Sequence, residues 1–267
     1  MTSEAPAGPL CTRDSVVADL RASGVRAGRT LLVHASLSSL GWVAGGAVAV
    51  VEALLEVLGP DGTLVVPTMT GENSDPAHWS APPVPRDWWA PIREAMPAYD
   101  PRVTPSRFMG AIAETVRTWP GTLRSAHPQT SFAALGPRAA EITDGHAIDS
   151  RLGERSPLAR LEAVGAEVLL LGAPFANCSC FHLAEYRVPG PSEEVSFAAE
   201  TEAGRQWITL RETRIDSDDF DALGTDFERE HPELVRQGTV GASRTRLFPL
   251  AAAVSYAEGW LRRHRTA

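Results

Sequence analysis

Apolar positions along the chain follow two spacings that alternate from segment to segment. In DSVVADLRASG (14–24), Val16, Val17 and Leu20 fall on one helical face, with Thr12 or Asp14 placed to cap the start and Gly24 to end it. TLLVHA at 30–35 is an unbroken apolar run of strand length, as expected of a buried strand. A loop of small residues, SLSSLGWVAGG, leads into the helical run AVAVVEALLEVLG at 47–59, which the turn Pro60-Asp61-Gly62 closes. TLVVPT at 63–68 is a second buried strand. Strand, loop, helix, turn and strand in that order make a βαβ unit, so at least two strands should be parallel.

The periodicity stops from 69 to 107. Eight prolines and Trp79, Trp88 and Trp89 fall in this stretch. A loop this long in a compact domain usually serves function, and its tryptophans argue against simple disorder. Helical spacing returns at 108–119 (FMGAIAETVRTW), followed by a turn-rich stretch at 120–136 and a short helix at PRAAEIT. SPLARLEAVG (156–165) reads as a helix and EVLLLGA (167–173) as a third buried strand. NCSCFHLAEYR (177–187) reads as a helix with Asn177 as N-cap. After Pro189-Gly190-Pro191, QWITLRETRI (206–215) alternates, which predicts an antiparallel annex over 191–216. SDDFDALGTDFEREHPELV has helix spacing, GTVGASRTRLFPL is rich in small residues, and AAVSYAEGWLRRH reads as a helix. No internal repeat interrupts this order. The pattern predicts one α/β domain over 1–267: a three-layer α/β/α sandwich with a mixed, partly parallel central sheet and a small antiparallel annex.

Composition narrows the class. The chain has 267 residues, 43% apolar and 22% charged, which suits a globular domain with a substantial core and excludes collagen-like or disordered chains. No apolar run approaches the ~18 residues of a membrane span. The start MTSEAPAGPLCTRDS lacks the basic-then-apolar order of a signal peptide. Three cysteines are too few for a disulfide scaffold: Cys178 and Cys180 are too close in sequence to pair easily, and Cys11 falls in a leader expected to fray. A cytoplasmic location fits this usage. The net charge is −8 and all 25 basic residues are arginine. That balance argues against nucleic acid or an anionic membrane as partner and allows a cationic small molecule; it leaves the oligomeric state open.

Four places carry candidate chemistry. The loop after the first strand, HASLSSLGWVAGG (34–46), lies where ligands of α/β sheets collect, and its small residues let backbone N–H groups approach an anion. It matches neither GxGxxG nor GxxxxGK[ST], so an ordinary βα connection competes with a binding loop. In FHLAE, His182 and Glu185 are i,i+3 neighbours if helical, a simple way to keep a general base near its working range; an exposed His–Glu pair is the plainer reading. Cys178, Cys180 and His182 invite a metal, but zinc usually takes four ligands and no second cysteine pair exists, so no metal is expected. ETRIDSDDFD (212–221) holds five carboxylates in ten positions, either a solvated helix start or an acidic wall for a cation. No GxSxG elbow occurs. HPQTS pairs His127 with Ser131, where a structural turn is the simpler account.

In combination, LLVHASLSSLGWVAGG, GPDGTLVVPT, RFMGAIAETVRTWPGTLRSAHPQTSFAALG, SPLARL, LLLGA and FHLAEY occur in the order seen in aminoglycoside 3-N-acetyltransferases. The chain resembles this antibiotic N-acetyltransferase family, unrelated in fold to the GNAT acetyltransferases, from about residue 12 onward. RSxHPxxSfaalG and HLAE are the specific parts. The resemblance implies acetyl-CoA as cosubstrate, no metal, and the 3-amino group of a 2-deoxystreptamine ring as acceptor, with antibiotic resistance as the outcome. It implies His182 as base, with Glu212 as a second catalytic group. It puts the coenzyme beside His34, Ser36, Leu37 and Ser38, and beside Ser106, Arg107, Met109 and Gly110. It puts Glu185, Asp216 and Asp75 on the antibiotic side, with 69–107 as a substrate-side loop. The family more usually has small hydroxyl residues where this chain has Cys178 and Cys180. Two other readings remain: a CoA-dependent N-acyltransferase acting on another amine in natural-product biosynthesis, and a non-catalytic CoA-binding protein, against which His182 and the acidic segment argue.

Overall fold

The structure, a computed structural model, describes residues 8–265. Strand β1 (Leu10–Cys11) precedes helix α1 (Arg13–Ala22). Of the two candidate caps, Thr12 fills the role: its hydroxyl accepts from the Ser15 N–H at 3.2 Å while its own N–H donates to the Ser15 hydroxyl at 2.9 Å. Strands β2 (Thr30–Ala35) and β3 (Trp42–Val43), helix α2 (Gly46–Leu58) and strand β4 (Thr63–Pro67) follow. The 69–107 stretch is more structured than a loop. It holds two 3-10 turns, the first capped by Asp75, and helix α3 (Trp89–Ala95). Helix α4 (Gly110–Arg117), strands β5 (Leu123–Arg124) and β6 (Phe132–Leu135), and helices α5 (Ala139–Thr143) and α6 (Pro157–Ala163) come next. Then follow β7 (Glu167–Leu171), α7 (Phe181–Arg187), the hairpin β8 (Ser192–Thr201) and β9 (Gly204–Thr213), α8 (Phe220–Glu230), β10 (Arg236–Val240), β11 (Ser243–Pro249) and α9 (Leu250–His264).

Seven strands form one sheet in the order β10-β11-β7-β2-β4-β6-β5. The three central strands β7, β2 and β4 are parallel, and the two flanks join antiparallel. Leu32 lies opposite Val65 on one side and Val168 on the other. All three face a cluster built with Phe181, Phe220, Phe248 and Trp260. Leu31, Val33, Leu64 and Leu169 face the other way, onto α1, α2 and α4 through Leu20, Leu54 and Ile112. Both faces of the sheet are thus covered by helices, which makes the chain a three-layer α/β/α sandwich. Each fully enclosed leucine contributes roughly 1.5–3 kcal/mol of burial. The β8–β9 hairpin forms a separate two-stranded sheet with its own small cluster of Val195, Phe197 and Ala199.

Several local expectations need correction. The stretch 120–136 contains β5 and β6, and GTVGASRTRLFPL with the residues before it contains β10 and β11. These strands are rich in Ala, Gly or Arg and form because β4 and β7 offer open edges for pairing. Helix α4 starts at Gly110 rather than 108, since Phe108 and Gly110 sit at φ +60 and +84. Asn177 ends a 3-10 turn, and α7 begins at Phe181 with Cys180 as N-cap. Cys11 does not fray: it is buried, and its thiol lies 3.3 Å from the Leu40 carbonyl. Of the segment read as lacking a signal peptide (1–15), residues 1–7 lie outside the described residues. Among those described, no helix is long and apolar enough to cross a membrane.

Candidate active site

Past the C-terminal ends of β2 and β4 opens a cleft of about 800 Å³. His34, Ser36, Leu37 and Ser38 line one wall, and Met109 and Gly110 line another, so six of the residues assigned to the coenzyme share one surface. Ser106 and Arg107 are not on that surface. Ser106 donates its hydroxyl to Glu114 at 2.6 Å, and Arg107 pairs with Glu72. The cleft also takes in Trp42, from the candidate loop 34–46, and Phe108, Asn177 and Ser179, which no local signal in the sequence marks out for a site. Trp42 and Phe108 are exposed aromatics at this site.

Two helices start at the cleft. Helix α2 begins at Gly46 after Gly45, both at positive φ, and α4 begins after Met109; neither start has a side-chain cap. Their first backbone N–H groups are therefore free to meet an anion or a polarised carbonyl. The loop between β2 and α2 is held from behind. The Ser39 hydroxyl donates to the Ser36 carbonyl at 2.7 Å and accepts from Ser243. Gly172, at φ +67, makes room for this contact, because a Cβ there would lie 1.9 Å from the Ser39 Oγ.

His182 stands in the first turn of α7, its N–H donating to the carbonyl of the cleft residue Ser179 at 3.1 Å. Its side chain is 13% exposed and its Nδ1 lies 2.6 Å from Glu185 Oε2, with Glu185 3% exposed. An ionised carboxylate only accepts, so Nδ1 is the donor of this bond. Phe220 packs against the imidazole at 4.7 Å between ring centres. Glu185 Oε1 takes the Asp216 N–H at 3.0 Å and the Arg265 guanidinium. His34, which lines the cleft, has its Nε2 buried without a partner among the described residues. Burial first, then the nearby His182, pushes His34 down to about 3, so it is a neutral imidazole.

The acidic residues take different places from those expected. Glu212 does not reach His182. Its carboxylate accepts from the Arg151 Nε at 2.8 Å and the Tyr186 hydroxyl at 2.9 Å, which ties the hairpin to α7. The carboxylate on His182 is Glu185, a buried group. Asp75 caps a turn and is held by Arg93 at 2.7 and 3.0 Å. Burial pushes Asp75 up, but Arg93 and the Ala77 N–H together keep it below the usual carboxylate range. Asp216 is half-buried beside Glu185, with Arg214 3.7 Å away. Alternation along β9 explains the misplacement: Glu212 turns inward and its neighbour Arg211 outward.

The remaining motifs are structural. His127 is buried and its Nδ1 accepts the N–H groups of Gln129 and Thr130, which makes HPQTS a turn. Ser131 bonds Thr68 instead of His127. Cys178 and Cys180 are free, buried thiols with sulfurs 3.3 Å apart, and His182 turns away from them to Glu185. Burial, with Cys178 alongside, pushes the Cys180 thiol up, so it is a poor nucleophile at neutral pH.

Comparison with known proteins adds a family, a curated relative and three solved structures. The family model described as aminoglycoside 3-N-acetyltransferase matches residues 32–262. The SPbeta prophage-derived aminoglycoside N(3')-acetyltransferase-like protein YokD of Bacillus subtilis (strain 168) is 45% identical over 252 residues, covering 93% of this chain and 92% of its own. The crystal structure of YokD superimposes with a TM-score of 0.92 over 100% of this chain and 98% of that one, at 41% identity. A structure described as AAC-IIIb binary with CoASH matches at TM-score 0.84 and 32% identity, over 96% of this chain and 97% of that one. Another, AAC-VIa bound to sisomicin, matches at 0.83 and 32%, over 97% of this chain and 100% of that one.

Proposed function

This chain belongs to the aminoglycoside 3-N-acetyltransferase family, and from that premise we propose that it moves the acetyl group of acetyl-CoA directly to the 3-amino group of a 2-deoxystreptamine aminoglycoside, with His182 as general base. An ammonium has no lone pair, so the acceptor must lose a proton before or as it attacks the thioester carbon. His182 Nε2 is free to take that proton, and the buried Glu185 stabilises the imidazolium that forms. The tetrahedral intermediate then expels the coenzyme thiolate. The uncapped N–H groups at the starts of α2 and α4 suit the phosphates and the developing oxyanion. His34, Ser36–Ser38, Met109 and Gly110 are the residues we assign to the coenzyme. No acyl-enzyme is required, in keeping with the Cys180 thiol, which burial pushes up. Three unpaired cysteines support a reducing, cytoplasmic setting.

The observation that carries this reading is the 2.6 Å bond from His182 to a buried carboxylate beside the cleft. A thiol-release assay with acetyl-CoA and a panel of aminoglycosides tests it, with the acetylated position read by NMR. His182→Ala should lower kcat by roughly 10²–10⁴, the usual weight of a general base. Full turnover in that variant would overturn the assignment. One observation favours a second reading, acylation of a less cationic amine. Asp75, Glu185 and Glu212 are each taken up by an arginine of the chain itself, and Asp216 lies 3.7 Å from Arg214. Turnover with simple amines and none with aminoglycosides would select it.

A further inference from the structure

The proposed chemistry uses one oxygen of Glu185, and the other is as firmly held. Oε1 receives the Asp216 N–H and the guanidinium of Arg265, the residue that follows α9 and lies 80 positions from Glu185 in sequence. Arg265 also grips the Asp219 carboxylate, with Nε at 2.8 Å and a terminal nitrogen at 2.5 Å, and donates to the Asp216 carbonyl at 2.6 Å. Its guanidinium carbon lies 5.8 Å from the centre of the Phe220 ring, the ring that packs against His182. A single side chain thus touches the carboxylate that orients the imidazole and the ring the imidazole rests on.

We propose that Arg265 is a positioning residue for the acetyl transfer: it locks the Glu185 carboxylate in the orientation that serves His182 and offsets part of its negative charge. This rests on the reading of His182 and Glu185 as base and partner. A carboxylate turns easily about its last torsion, so one hydrogen bond to His182 does not fix its plane. Two donors on Oε1 do. The charge matters as well. An uncompensated buried carboxylate would hold the proton on the imidazole too strongly, so that the free base would appear only at higher pH. The charged groups around His182 come from four places. Glu185 is on α7, Asp216 and its partner Arg214 precede α8, Asp219 caps α8, and Arg265 follows α9. His34 on β2 faces it as a neutral ring. Hydrogen bonds to Asp219 and then to Glu185 hold the Arg265 guanidinium well above its ordinary value against the opposing effect of burial, so it stays charged throughout the working range.

The test is a pH series of steady-state kinetics on R265Q, R265K, E185Q and the double variant E185Q/R265Q, with thermal melts on each. R265Q should lower kcat by about tenfold or more with KM for acetyl-CoA unchanged, as a small misplacement of the base would. Its acid limb should move to higher pH, because a cation facing the base is gone. R265K keeps the charge but not the fork, so its acid limb should stay at the wild-type position while kcat falls partway. In the E185Q background R265Q should cost little more, since both act through one group. Arg265 that only ties down its segment would lower the melting temperature and multiply with E185Q, leaving the pH profile in place. Wild-type kcat and pH profile in R265Q, or multiplicative losses in the double variant, would overturn the proposal. Should R265Q not fold, R265K decides: a lowered kcat at constant KM supports it and a wild-type kcat sinks it. If H182A retains activity, the base assignment falls; if H182A is inactive and R265Q is normal, only the role of Arg265 falls.

Discussion

Replacing Glu185 by Gln removes one charge and almost no volume, which makes it the sharpest probe of the site. In the native protein Oε2 accepts from His182 at 2.6 Å, while Oε1 accepts from the Asp216 N–H and Arg265. Three donors converge on two oxygens. Glutamine has one oxygen and one NH₂ group, so one side must meet donor with donor. If the NH₂ faces His182, the ring must present a bare Nδ1 and carry its proton on Nε2, the wrong tautomer for a base. If it faces Arg265, the half-buried guanidinium loses an acceptor. Either way a charge-assisted bond is lost, worth about 1.5–3 kcal/mol, or about ten- to 150-fold in rate. Steady-state assays with saturating acetyl-CoA should show that loss in kcat, with KM for acetyl-CoA within about twofold of wild type, since Glu185 is away from the coenzyme wall. A Gln variant with undiminished kcat would refute the claim that this carboxylate sets the state of His182.

Three further outcomes are expected. Ser38→Asp should raise KM for acetyl-CoA severalfold at low salt by placing a negative charge on the wall formed by His34–Ser38, and an unchanged KM would move the coenzyme elsewhere. Glu212→Gln takes one of two carboxylates from the buried Arg151, with Glu193 remaining at 2.7 Å, so it should act mainly on stability. A loss of about 1–3 kcal/mol, several °C in Tm, is expected, and an unaltered Tm with a lost kcat would point to a role for Glu212 in the chemistry. Burial pushes His146 down to about 4 and His127, with His146 beside it, to about 2, both from 6.5. Below pH 6.5 the unfolded chain therefore binds protons that the folded one refuses, and stability should fall from there toward pH 4. A urea melt series should show this slope, flattened in His146→Asn; a flat wild-type series would contradict it.

The parallel centre of the fold is legible in the sequence because TLLVHA, TLVVPT and EVLLLGA are buried on both faces and need no polar alternation. The flanking strands are not. FAAL and RQGTV have no strand signature, and only the edges of β4 and β11 make strands of them. The site divides in the same way. His182 with Glu185 can be read locally, since three residues along a helix bring two side chains onto one face. Glu212 and Asp75 cannot be sorted by composition. Each is consumed by an arginine distant in sequence, Arg151 for one and Arg93 for the other. Arg265 has no local signal, because its meaning depends on α9 packing beside α7.

The placement of β7 bears on how the molecule is made. β7 pairs with β2, an early strand, and with β11, which the ribosome delivers long after α7. As the chain emerges, α7 and its histidine follow a strand that has one neighbour and an open edge. That edge stays available for wrong partners until β11 arrives, and closing it requires a contact distant in sequence, the kind that slows folding and exposes intermediates to aggregation. Nascent chains stalled just after α7 should then be protease-sensitive on the β7 side while the βαβ unit of β2, α2 and β4 is already protected. Expression yield would accordingly respond more to substitutions in β11 than to equally conservative ones in β4.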